Sequence, residues 1–290
     1  MTGLLTLAKR NIRLYFADRT AVFLSLLGAL IAIFIILIFL KSSIVDGMTA
    51  DFAGLVSKDQ VSGLLDSWLI ASAAVIAAAT TGLGALRQYV SDRETARWRD
   101  FLITPLPRWV ITGGYLLSAI AVSALMTTVV FGLGTIYCLA TGVTLLAGDI
   151  LVSWGWLMLC CVSFTALMGF VVSLLRTDAA FTGVSIVVGV MFGFLAETYA
   201  TAGALPLGVA RILNALPFAQ ASALVRTPYT AAVIAELPAE VRSVTCEQMG
   251  MTLYIDSTLV TTALIVAVLG AMIVVFAFAA WQVMARTVKR

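Results

Sequence analysis

Polar positions in this chain are gathered into short islands. Between them run six stretches without a charged residue: Thr20 to Leu40, Ser67 to Leu86, Trp109 to Gly148, Ile150 to Leu175, Ala179 to Ala196 and Ser257 to Ala285. Each reaches or approaches the roughly 20 residues that a helix needs to cross the hydrocarbon layer of a bilayer. The third stretch is long enough to raise a second crossing, but Ala140-Thr141-Gly142 near its end reads as an exit turn, so one span is expected there. The pattern predicts an all-α polytopic membrane protein whose six spans cover 20–40, 67–86, 109–138, 150–175, 179–197 and 257–285. A further apolar segment, Leu205 to Val225, carries Arg211, Asn214 and Gln220 and is broken by Pro206 and Pro217. Arg211 near mid-membrane would cost about 2.5 to 3.5 kcal/mol. The segment therefore reads as a re-entrant or interfacial helical hairpin within an outer region, residues 199–256.

Composition supports a single transmembrane domain over 1–290: the chain is 61% hydrophobic and 11% charged, a surface made for lipid rather than water. The first apolar run is too long and starts too late for a cleaved signal peptide and is expected to remain as an anchor. With the N-terminus in the cytoplasm, 13 of the 18 Lys and Arg fall on the inner side and 10 of the 15 acidic residues on the outer side. That asymmetry predicts cytoplasmic N- and C-termini. Nothing in the charge pattern points to nucleic acid.

Histidine is absent, which removes His-based acid–base catalysis and most zinc chemistry. Cys138, Cys160, Cys161 and Cys246 show no metal-ligand spacing and read as packing residues. The lysines, Lys9, Lys41, Lys58 and Lys289, are none of them preceded by Gly, so the chain carries no P-loop and no ATPase site of that kind.

Two surfaces on the inner side stand out. Residues 1–19 form an amphipathic interfacial helix. On a helical wheel Thr6, Lys9, Arg10 and Arg13 share an arc of about 100°, directed to lipid headgroups or to a cytosolic partner. The loop 87–108 has helix-forming composition to Ile103, after which Pro105 and Pro107 stop it. Trp98, Phe101 and Leu102, at i, i+3 and i+4, form one apolar face on this charged segment. They dip into the membrane interface as an aromatic belt or insert into a groove of another protein.

At these residues the chain resembles a family. Lys9-Arg10-Asn11 through Asp18-Arg19-Thr20-Ala21, then Asp92-Arg93-Glu94, Asp100-Phe101-Leu102 and Thr104-Pro105-Leu106-Pro107-Arg108, and finally Leu216-Pro217, are similar in order to motifs of type 2 ATP-binding cassette (ABC) permeases, the membrane subunits of bacterial exporters. Thr95-Ala96 departs from the small residue usual after the acidic element. The resemblance implies a bacterial inner-membrane subunit, not itself an enzyme and binding no cofactor. It would pair with a second permease copy or homologue and with cytosolic ABC ATPase subunits that hold ATP and Mg. It implies contact with the ATPase through Asp92, Arg93, Glu94, Arg97, Trp98, Phe101 and Leu102.

Within the spans, Glu197 is the nearest thing to an intramembrane acid: it is a proton or cation site, or it snorkels to the outer interface beside Thr198-Tyr199. Asp66, Asp149 and Asp256 precede spans and read as helix caps. Ser185, Gly189 and Gly193 make a small-residue stripe, either an internal packing face or part of a dimer seam. A conduit lined by Thr80, Thr81, Thr127, Thr128 and Met126 would suit a hydrophobic or amphiphilic cargo. The competing readings are a proton- or sodium-coupled secondary transporter working through Glu197, and an intramembrane enzyme, for which no nucleophile dyad or acid pair is found.

Overall fold

The structure is a computed structural model that describes residues 2–52, 55–95, 97, 107–199, 201, 203, 205–255 and 258–287. Among them the chain is helical apart from one antiparallel pair of two-residue strands, Tyr254–Ile255 and Thr258–Leu259. Among the described residues six helices are long and apolar enough to cross a membrane, as the charge-free stretches predict, or seven if one bent helix pair is counted as a span, so the chain has the build of a multi-pass membrane protein.

Helix α1 (Thr2–Ala17) leads into α2 (Arg19–Phe34), which continues through a π-helical turn, Ile35–Leu40, into α3 (Lys41–Asp51). The helix expected to end at residue 40 therefore runs on for another 11 residues. Lys41 does not stop it because its Nζ reaches both carboxylate oxygens of Asp66 at 2.7 Å. Helix α4 (Lys58–Ala85) starts well ahead of the expected residue 67. Ser57 caps it: its hydroxyl accepts from the Gln60 amide, and the Gln60 side chain accepts from the Ser57 amide. Asp66 thus lies inside the helix as a buried ion-pair partner, which corrects its reading as a cap. Asp149 lies in the first turn of a helix whose N-cap is Leu146, so it is not the cap either, and Asp256 lies outside the described residues.

Lys41→Met should leave the Asp66 carboxylate buried without its cation, at a cost of about 3 kcal/mol. The loss is expected as a lower thermal midpoint in detergent, largely restored when Asp66→Leu is added. An unchanged midpoint in the single variant would sink this account of the pair.

Helix α5 (Arg87–Glu94) follows α4 almost directly, then come α6 (Arg108–Ala140), α7 (Ala147–Ser173) and α8 (Asp178–Leu195). The expected exit turn after α6 is present, with Gly142 at φ 84°, a backbone that favours glycine. Helices α9 (Leu207–Ala215) and α10 (Pro217–Tyr229) are bent by 81° against each other around Leu216. Short helices α11 (Ala231–Ala235) and α12 (Ala239–Gln248) precede the strand pair, and α13 (Thr262–Thr287) closes the fold. The last span begins at Thr262 rather than 257 because the strand pair occupies the approach to it.

Helix α4 is the centre. Its apolar window is 94% buried, against 18% for the first span and 17% for α8. Alanines 71, 73, 74, 77, 78 and 79 give it a thin profile on which neighbours pack closely. The first span runs antiparallel to it, with Ser25 against Gly84 near one end and Lys41 on Asp66 near the other. A Cβ at Gly84 would stand 2.7 Å from that of Ser25, so glycine sets the approach of the two helices. Helix α13 lies parallel to α7: the Ser163 hydroxyl donates to the Leu269 carbonyl, and Phe170 meets Phe276. The two ends of the described chain thus lie toward one face, here the N-terminal face, and the residues between α8 and α13 toward the far face.

Candidate functional site

Three places concentrate polar chemistry in this apolar bundle. The first is α5 on the N-terminal face, where three consecutive charged residues bind four different elements. Asp92 is fully buried and accepts from Arg10 Nη1 at 2.8 Å, Arg10 Nη2 at 3.0 Å, Gln88 Nε2 at 2.6 Å and the Tyr115 hydroxyl at 2.6 Å. It fastens α1 to the bundle, and its carboxylate holds the Arg10 guanidinium pKa above the usual arginine value. Arg93 Nη1 donates to the carbonyls of Ser173 at 3.2 Å and Leu175 at 2.9 Å, closing the C-terminus of α7. Glu94 accepts from the Asp178 amide at 2.8 Å, closing the N-terminus of α8. Arg87 adds a two-pronged bond to the Asp178 side chain at 2.9 and 2.7 Å.

These contacts revise the reading of the loop. Asp92, Arg93 and Glu94, expected to face an ATPase, are engaged with their own chain; Asp92 has no accessible surface to offer a partner. Helix α5 ends at Glu94, where the Thr95 hydroxyl turns back to the Ser91 carbonyl, and the rest of the helix expected to Ile103 lies, apart from Thr95 and Arg97, outside the described residues. Arg97 is exposed, and Trp98, Phe101 and Leu102 lie outside the described residues. The basic stripe of α1 also divides. Lys9 and Arg13 are exposed, whereas Arg10 turns inward to Asp92. Leu7, Ala8, Asn11 and Tyr15 form the buried side of α1.

The second place is a groove of about 640 Å³ between the first span, α4 and α8. Its walls are aliphatic and phenylalanine side chains with hydroxyls from Ser25, Thr80, Thr182 and Ser185. Arg87 lines it toward the N-terminal face and Tyr199 toward the far face. Of the small-residue stripe, Ser185 and Gly189 line the groove, while Gly193 lies directly under the Tyr199 ring. Of the expected conduit only Thr80 lines the groove. Thr81, Thr127 and Met126 are buried in the core, and the Thr128 hydroxyl accepts from Trp154 Nε1.

The third place lies where the far-face segment meets α4. Glu197 does not snorkel: it is fully buried, with φ at 53°, and neither of its carboxylate oxygens has a hydrogen-bond partner. Arg226 of α10 is also fully buried. Its Nε donates to Ser72 Oγ at 2.7 Å, and Nη2 donates to the Ala196 carbonyl at 2.7 Å and the Glu197 carbonyl at 3.2 Å. The guanidinium lies 4.6 Å from the centre of the Trp68 ring, whose Nε1 donates to the Met249 carbonyl. Sequence reasoning passed over Arg226 as one of the outer cations. The signal was present, since an arginine next to the uninterrupted Ala221-Ser222-Ala223-Leu224-Val225 stretch must find acceptors when that helix packs inward.

Among the described residues no group of three or more metal-ligating side chains is found. No protein-family model matches the chain, and no curated protein matches it.

Proposed function

We propose that the chain is the membrane permease subunit of an ATP-driven ABC exporter that moves a hydrophobic or amphiphilic cargo, such as a drug, a peptide or a lipid-like molecule, out of a bacterial cell. The N-terminal face is then cytoplasmic, in keeping with the positive-inside rule, and α9 and α10 enter and leave the membrane from the outer side. ATP and Mg belong to separate cytosolic ATPase subunits. The observation that carries the reading is the α5 junction. A force applied to the exposed end of this helix near Arg97 reaches α1 through Asp92, α7 through Arg93 and α8 through Glu94 and Arg87. That is the connectivity a separate motor needs in order to shift spans as rigid bodies. The groove beside it, open sideways along two little-buried spans, supports passage of an apolar molecule and pairing with a second permease, identical or homologous.

The alternative, a transporter driven by a proton or sodium gradient, would centre on Glu197. A sodium ion there would face the Arg226 guanidinium at close range, which disfavours it. The test is purification of the tagged chain from its native cells in mild detergent, with mass spectrometry of stoichiometric partners. A P-loop ATPase is expected to co-purify and to be lost with Arg97→Glu combined with Trp98→Ala. Recovery of the chain alone, together with ATP-independent transport abolished by Glu197→Gln, would replace the permease reading by the gradient-driven one.

A further inference from the structure

We propose that Glu197 and Arg226 form a proton-operated latch that fixes the far-face segment to the spanning helices. The proposal does not depend on the energy source of transport. Arg226 is positioned by contacts that leave one arm over: Nε is held by Ser72 of α4, Nη2 by the turn after α8, and the guanidinium plane by Trp68. Trp68 in turn holds Met249. One side chain thereby ties α4, the residues following α8 and α10, with Met249 joined through Trp68.

Nη1 of Arg226 and both carboxylate oxygens of Glu197 are buried, without hydrogen-bond partners and opposite in charge. They face the same residue. A Cβ on Gly250 would stand 2.5 Å from Glu197 Oε2 and 3.3 Å from Arg226 Nη1, and Gly250 itself has φ at 64°. Glu197 is the one non-glycine residue among those described with a positive φ, the kind of backbone found where a site stores strain.

Two arrangements follow from the chemistry. Ionised, the Glu197 carboxylate is drawn onto Nη1 through a medium of low dielectric and the latch is shut. When Oε takes a proton from far-face water, the carboxyl group is neutral and that attraction is lost. Arg226 then rests only on neutral acceptors, and the latch is loose. The proton returns to the same water on closing. Arg226 is the charged group that acts on Glu197; α4 presents Trp68 and Ser72 to Arg226, and the loop after α12 presents Gly250 to both, all without charge.

The test is hydrogen–deuterium exchange of the full chain in lipid nanodiscs between pH 5 and 9, corrected for the intrinsic pH dependence of exchange. Peptides covering Pro217–Tyr229 and Ala239–Gln248 should exchange at least tenfold faster at the acid end in the wild type. In Glu197→Gln they should exchange fast throughout. In Gly250→Ala, where the added methyl group wedges the pair apart, the pH dependence should be lost. Corrected exchange that stays flat across the range in the wild type overturns the latch even where Glu197→Gln fails to fold, and so does wild-type pH dependence retained in Glu197→Gln. A pair that is merely structural gives the flat result.

Discussion

Asp92→Ala is expected to detach the N-terminal helix from the bundle. The substitution removes the acceptor of four hydrogen bonds at once and leaves the Arg10 guanidinium and the buried Tyr115 hydroxyl facing a hole. Breaking a buried charged pair from one side costs about 3–5 kcal/mol. Much of it should appear locally, because α1 meets the rest of the chain chiefly along α6, where Leu7 fits against Gly114. The readout is a cysteine placed at Leu7 in a Cys246→Ser background, in which the remaining cysteines are buried. Labelling by a water-soluble maleimide should be slow with Asp92 present and at least tenfold faster with Ala there. Asp92→Asn keeps an acceptor and should fall between. Equal labelling in all three would show that Asp92 does not hold the helix.

The second large effect is expected at the far face. Arg226→Met places an apolar side chain of similar length in the same slot but leaves the Glu197 carboxylate, Ser72 and the Ala196 carbonyl without their cation. An expected loss of about 3–5 kcal/mol follows from the uncompensated charge rather than from packing. Adding Glu197→Gln to Arg226→Met should restore a large part of it, since no ionised group then remains in the site. Trp68 offers a second signal: with the guanidinium gone from its face, its fluorescence should change in Arg226→Met and stay changed in the double variant. Additive losses in the cycle would mean that the two groups do not interact.

Both predictions concern charges that the sequence displays and the fold hides. In each, a long-range partner determines what the residue does. Asp92 lies 82 residues from Arg10, and Arg226 lies 154 from Ser72. The same holds at Lys41, which reads as the polar end of a span until Asp66 is seen beside it; the ion pair lets the helix continue, and the boundary expected at residue 40 disappears. Boundaries without such a partner were legible. The turn at Thr141-Gly142 lies where glycine punctuates the apolar run.

The apolar face of Trp98, Phe101 and Leu102 was read from spacing and lies outside the described residues. The neighbouring acidic element was legible as a cluster of charge but not as a junction. Whether a carboxylate faces water or its own chain depends on which helices converge on it. Here α1, α7 and α8 converge on α5.

By itself the sequence marked out the segments that are long and apolar enough to span a membrane and their approximate places, because lipid acts on each segment separately and tests only its length and apolarity. Tertiary structure alone decided which charges are joined, that α4 is the buried centre, and that a groove opens between the first span and α8. Those features arise where segments distant in the chain meet, and a charge buried at such a meeting is stable only beside the partner that the packing brings to it.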